Sequence, residues 1–211
     1  WTQINRSLLS DRLRLSAGLR VDGTDYSSKM SNPFTQLSPR ISASFSANEK
    51  ISLNANAGRY FQLPSYTTLG YRDEVGTLAN QSELRYVQAD HLVAGVAYDS
   101  EFESRISVEG FYKKYQDYPF DLRDSVSLAN FGGEFGTVGN IPVSSGSEGR
   151  AFGVEVMYQQ KMFKGFYGVL AYTWVRSEFG LADELLPSNW DSRHLVSLTA
   201  GKKLPGDWEI G

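Results

Sequence analysis

The 211-residue sequence contains no cysteine, so disulfides and thiolate metal sites are excluded. It has two histidines, His91 and His194, which do not stand at ligand spacing. No stretch approaches the ~18 consecutive apolar residues of a membrane helix. There is no excess of basic residues either: 21 Lys and Arg stand against 24 Asp and Glu, a formal net charge of −3. That balance argues against a nucleic-acid binder, which would carry a basic patch or a strongly basic domain. No charged region followed by an apolar one opens the chain, so no signal peptide is visible. With Trp1 at its start and Gly211 inside a strand pattern, the chain reads as a piece of a longer polypeptide.

What is abundant is aromatic and small: 12 Tyr, 12 Phe, 4 Trp and 20 Gly, a composition that suits strands and turns. From 12 to 22, Leu13, Leu15, Ala17, Leu19 and Val21 alternate with Arg14, Ser16, Gly18, Arg20 and Asp22. Strict period-2 alternation over about 11 residues matches a tilted membrane-crossing strand. The pattern returns at 41–47 and 51–58, and less cleanly at 87–99, 104–116, 150–161 and 192–202. Residues 165–177 are apolar on both faces and take no orientation from sequence. A barrel strand meets lipid on alternate residues only, so a mean hydropathy of −0.35 is compatible with membrane insertion.

Short turns are expected near Ser10-Asp11, Asn48-Glu49, 100–103, 162–164 and 204–206, and long polar segments at 23–38, 61–85, 117–149 and 178–190. Compact soluble domains keep most connections short. Outer-membrane barrels instead alternate short periplasmic turns with long external loops. The fold class expected is all-β: part of an antiparallel transmembrane β-barrel, about nine strands plus a stub after Pro205. The competing fold is a soluble sandwich with its apolar face inward. Two interfacial girdles are expected, from Tyr60, Phe61, Tyr66, Tyr112, Tyr115, Tyr118 and Phe120 beside long loops and Phe163, Phe166 and Trp208 beside short turns.

Asp191 and His194 invite a hydrolase reading, yet no Gly-x-Ser-x-Gly elbow is present and a rim role is favoured. Neither catalytic nor metal residues are assigned. Asp117, Asp121 and Asp124 lack the ligand pattern of a calcium loop. The Gly-rich run 131–136 lacks the Lys-Ser/Thr ending of a phosphate loop.

Several segments, in order, resemble TonB-dependent outer-membrane receptors, especially of Bacteroidetes type. They are Leu37-Ser38-Pro39-Arg40-Ile41, Gly58-Arg59-Tyr60-Phe61-Gln62-Leu63-Pro64, Gln88-Ala89-Asp90-His91-Leu92, Glu109-Gly110-Phe111-Tyr112-Lys113, Gly149-Arg150-Ala151-Phe152-Gly153-Val154-Glu155 and Asn189-Trp190-Asp191. The resemblance covers about 12–211. It implies one partial barrel domain over 1–211, from a barrel of about 22 strands, with signal peptide, plug domain and last strand outside the chain. It further implies residence in the bacterial outer membrane, contact with its lipid, no nucleic acid and no cofactor. Function would be energy-coupled uptake of a siderophore, cobalamin, oligosaccharide or peptide through the plug and an inner-membrane TonB complex. A passive channel or adhesion barrel is the alternative. Loops on a rigid scaffold favour ligand sites, which makes Arg59, Tyr60, Gln62, Tyr66, Tyr115, Tyr118, Arg123 and Asn130 the ligand-contact candidates. The competing role for these residues is girdle and solvated loop surface.

Overall fold

A strand that buries only alternate side chains must still pair every backbone N–H and C=O with a neighbour. The computed structural model of the chain meets that need with one antiparallel sheet. It describes residues 1–131, 139–181, 183–206 and 208–211, so the Gly-rich run lies, beyond Phe131, outside the described residues.

The strands are β1 (Thr2–Leu8), β2 (Leu13–Val21), β3 (Leu37–Ser46), β4 (Ile51–Gln62), β5 (Val87–Asp99), β6 (Ser104–Asp121), β7 (Val126–Ser127), β8 (Val143–Phe163), β9 (Phe166–Leu181), β10 (Glu184–Pro187), β11 (Arg193–Lys203) and β12 (Glu209–Ile210). They run side by side in chain order, except that β7 hangs off β6 and β10 off β9. Nine long strands and the two-residue β12 form the path, in keeping with the expected count of about nine and a stub, although β1 is not among the segments whose alternation the sequence marks.

Register shows why the alternation matters. Leu8, Leu13, Phe45, Leu53, Val96, Val108, Val156, Tyr172 and Val196 are successive cross-strand partners, a single apolar row across nine strands. The next row along the strands is Ser7, Arg14, Ser44, Asn54, Gly95, Glu109, Glu155, Thr173 and Leu195, on the opposite face. A one-residue slip would exchange these faces, so burial of the apolar face in lipid fixes the register. A sandwich would cover that face with a second sheet; among the described residues there is one sheet, and Leu92 and Val196 stay 57% and 71% exposed. The sandwich is thereby excluded. Register also orients 165–177: Leu170, Tyr172 and Trp174 share the apolar face, while Val169, Ala171 and Val175 point to the polar one.

At one end the strands reverse tightly. Lys164 (φ 51°) and Gly165 (φ 83°) make a two-residue hairpin between β8 and β9, one residue beyond the turn expected at 162–164. Left-handed φ at both central residues suits the right-handed strand twist. A Cβ on Gly165 would stand 2.8 Å from the Lys203 carbonyl, so glycine is required there. Asn48 Oδ1 accepts from the amides of Lys50 and Ile51 at 2.9 and 2.8 Å, closing the β3–β4 turn.

At the other end two expected loops are shorter than the sequence suggests. β6 and β8 continue pairing to Asp121 and Val143, past a bulge after Tyr115, and β9 pairs with β10. Above the membrane neither face must be apolar, so these extensions carry no hydropathy signal. The remaining connections pack together: Met30, Leu69, Leu84, Tyr86 and Val143 form a core, with Phe61 and Leu63 against it. Asn80 ties it down, donating to the carbonyls of Thr68 (2.8 Å) and Ile141 (2.9 Å) and accepting from the Val143 amide (2.9 Å). The core therefore sits over the long-loop end of the wall rather than between two layers.

Candidate functional site

The apolar face has dimensions that fit a bilayer. Strand β6 runs about ten residues from Ser104 to Lys114; at ~3.3 Å per residue and a tilt of ~40° this spans ~25 Å, the height of a barrel's lipid band. Rings mark both margins. Near the turns, Phe102 meets Phe163 at 5.8 Å and Lys202 lies over Phe166 at 4.3 Å. Toward the loops, Tyr112, Phe152 and Trp174 contact one another in sequence at 6.5 and 6.0 Å. The turn-side girdle holds Phe163 and Phe166 as expected, and Trp208 is exposed beside the last turn. The loop-side girdle does not: Phe152 and Trp174 join Tyr112, whereas Tyr60 and Tyr115 share the polar face, opposite in parity to Tyr112. Phe61 packs in the loop core, Phe120 is buried and Tyr66 projects from a loop. No helix among the described residues is long and apolar enough to cross a membrane, which says nothing about crossing by strands.

The polar face gathers a continuous chain of rings at its loop end. Arg40 Cζ sits 4.3 Å from the Tyr60 ring; Tyr60 meets His91 at 4.5 Å, and His91 meets Tyr115 edge-on at 6.4 Å. Tyr115 and Tyr118 contact Phe179 at 5.0 and 4.9 Å, and Phe179 touches Trp190 at 6.3 Å. The register makes this possible. Ala89 on β5 pairs with both Tyr60 and Tyr115, so the two tyrosines flank a small residue two strands apart. Beside Tyr60 a groove of about 570 Å³ is lined in part by Arg20, Arg40 and Asn56. Arg40 Nε is buried without a hydrogen-bond partner among the described residues. Within the ring chain, burial raises Tyr118 from its ordinary value; burial also raises the neighbouring Asp117 carboxyl, against the lowering effect of Arg85.

Of the eight expected contact residues, the structure brings Tyr60, Tyr115 and Tyr118 into this chain. Arg59 faces the other way and pairs with Asp90, Nε to Oδ1 at 2.6 Å and Nη2 to Oδ2 at 2.9 Å. Gln62 is exposed at the end of β4, and Tyr66 is 84% exposed on a one-turn helix. Arg123 donates to the Tyr71 hydroxyl (3.2 Å), and Asn130 to the carbonyls of Leu186 and Pro187 (3.1 Å each). Arg40, Phe179 and Trp190 escape sequence reasoning, although Gly58 and Gly149 signal them. A Cβ on Gly58 would crowd Arg40 and Tyr60 at 3.1–3.2 Å, and one on Gly149 would lie 2.3 Å from the Phe179 ring. Gly149→Ala is therefore expected to cost about 1–3 kcal/mol and to shift Trp190 fluorescence as Phe179 moves. An unchanged melting temperature and spectrum would show that Phe179 does not hold this place.

The hydrolase constellation does not assemble. His194 Nδ1 shares a 2.9 Å hydrogen bond with the Tyr172 hydroxyl, while Asp191 is occupied by Arg176 and the Ser177 amide. Among the described residues no group of three or more metal-ligating side chains occurs, and Asp121 instead accepts from the Arg123 amide at 2.8 Å.

Comparison with curated proteins finds no match. Solved structures share the fold. The alcaligin outer-membrane receptor FauA of Bordetella pertussis is 17% identical, with a TM-score of 0.61 over 97% of this chain and 34% of its own. The pyoverdine outer-membrane receptor FpvA of Pseudomonas aeruginosa PAO1 is 18% identical, with a TM-score of 0.66 over 97% and 28%. The copper transporter OprC is 14% identical, with a TM-score of 0.63 over 95% and 31%. The chain thus spans about a third or less of each. A family model described as "TonB dependent receptor-like, beta-barrel" matches residues 2–211, from the first strand to the last. With its lipid band, its two ring girdles and that match, the chain belongs to the TonB-dependent receptor β-barrel family of the bacterial outer membrane.

Proposed function

We propose that this barrel serves energy-coupled uptake of a large, scarce nutrient, working with a plug domain and an inner-membrane TonB complex. The observation that carries the reading is the ring chain on the polar face, from Trp190 to Arg40, at the loop end of a family barrel. Flat rings beside Arg40, and beside Lys113, which is the cross-strand partner of His91, suit a cargo with planar, anionic groups, because rings stack on its faces while guanidinium and ammonium meet its oxygens. Siderophores fit that description better than cobalamin, oligosaccharides or peptides. The names of the alcaligin and pyoverdine receptors accord with this choice. Transport needs no covalent step, and Asp191 and His194 have none to perform.

The test is accumulation of radiolabelled ferric siderophores by cells making the full-length protein, with and without a protonophore. Uptake abolished by the protonophore is expected. Uptake indifferent to it would favour the passive channel. Replacing Tyr60 and Tyr115 with Ala is expected to weaken ferric-siderophore binding to the purified full-length protein by about tenfold or more, the scale of removing buried aromatic contacts. Unchanged affinity would move the site elsewhere.

A further inference from the structure

On the turn side of the ring chain, the polar face carries a row of basic groups. Arg40, Gly58, His91 and Lys113 are successive cross-strand partners on β3, β4, β5 and β6. On the last three strands the row lies two residues from Tyr60, Ala89 and Tyr115. It holds two permanent cations and an imidazole, and no carboxylate.

The glycine brings the ends of the row together. Gly58 leaves open the space in which the Arg40 guanidinium lies over the Tyr60 ring at 4.3 Å, and that ring stands 4.5 Å from His91. From the other side Lys113 is the direct partner of His91, a position that sets Cβ atoms about 5 Å apart. The groups facing His91 are thus Arg40 from β3, Tyr60 from β4, and Lys113 and Tyr115 from β6. The carboxylate beside it in sequence, Asp90, points to the opposite face. There Arg59 holds it at 2.6 and 2.9 Å and Gln88 at 3.1 Å. Among the described residues, Arg40, His91 and Lys113 make no ion pair and no hydrogen bond.

Like charges directly opposite on neighbouring strands repel. A protonated His91 adds a third cation between Arg40 and Lys113, with no anionic group on this row to offset it. An anion seated on the row reverses the balance, because it screens the two fixed cations and attracts the imidazolium. Histidine is the side chain suited to such a change between about pH 5 and 8. We propose that His91 makes cargo capture proton-linked: the imidazole takes one proton from the medium as an anionic cargo seats on the Arg40–His91–Lys113 row. The inference rests on the reading of the ring chain as a site for planar anions, and adds its regulation. Coupling between two binding events is reciprocal, so a proton on His91 tightens the anion as much as the anion tightens the proton.

The test uses full-length protein in detergent with pyrene tetrasulfonate, a planar probe whose negative charge does not change with pH. Affinity is expected to be about tenfold higher at about pH 5 than at about pH 8. Proton uptake on binding, read by calorimetry in buffers of different ionisation enthalpy, is expected in the parent and lost in His91→Gln. That variant is expected to bind weakly at both pH values. His91→Lys, a cation at both, is expected to bind at the higher pH as tightly as the parent does at the lower. His194→Gln is a control that should keep the parent's pH dependence, and melting temperature is followed for every variant at both pH values. Binding by the parent that is indifferent to pH would overturn the proposal while leaving the planar-anion site standing. Parent-like pH dependence in His91→Gln would do the same, by placing the proton on another group. Absence of binding at any pH would overturn both the site and its regulation.

Discussion

Val156→Arg is expected to destabilise the folded barrel by about 2–4 kcal/mol, whereas Met157→Arg, one residue along, is expected to change stability little. Val156 belongs to the apolar row through Val96, Val108 and Tyr172, midway between the turn-side and loop-side girdles. An arginine there would place its charge at the bilayer centre, with only long snorkelling routes to either interface. Met157 pairs with Ser107 and Ala171 on the polar face, where a guanidinium finds water and the carboxylates of Glu109 and Glu155 nearby in the register. Urea unfolding of the full-length protein in lipid vesicles would measure both. Equal tolerance of the two would mean that the apolar face does not meet lipid, and the membrane orientation derived from the register would fail.

That parity argument is also what made most of the fold legible. Leu13–Val21 and Ile51–Gln62 alternate cleanly because one face needs lipid and the other water. Strand β9 hides its orientation because Val169, Ala171 and Val175 are apolar although they share the polar face, and only pairing with β8 and β11 resolves it. The upper parts of β6 and β8 were illegible for a different reason. Ser144, Ser145 and Ser147 pair with β6 above the membrane, where hydrogen bonding alone holds the strand and no periodicity is demanded.

The candidate site was half legible. Tyr60 and Tyr115 are conspicuous as aromatics near loop bases, yet their closeness depends on Ala89 lying between them in the register. Arg59 and Tyr60 look alike as candidates but must face opposite ways as neighbours on one strand. Strand parity places Arg59 on the outward face, paired with Asp90, and Tyr60 on the polar face. Trp190 reaches the site only because β10 folds the segment after it back onto β9.

Asp191→Ala is expected to cost about 2–3 kcal/mol, against less than ~1 kcal/mol for His194→Ala. Asp191 is nearly inaccessible, and one of its oxygens accepts both Arg176 Nε at 3.1 Å and the Ser177 amide at 2.8 Å. Its other oxygen lies 3.6 Å from Arg193 Nε. The carboxylate thus fastens the return from β10 into β11 onto the face of β9, next to Ser188, whose hydroxyl donates to Ser177 at 2.7 Å. Removing it leaves a buried amide unpaired and deprives Arg176 of one of two carboxylates, with Glu178 retained. His194 is exposed and loses only the bond to Tyr172. Thermal unfolding of the two variants of the full-length protein, alongside hydrolysis of ester and peptide substrates, separates anchor from enzyme. A large destabilisation by Asp191→Ala with no hydrolysis in any form fits the anchor. Hydrolysis present in the parent and abolished by His194→Ala at full stability would restore the catalytic reading.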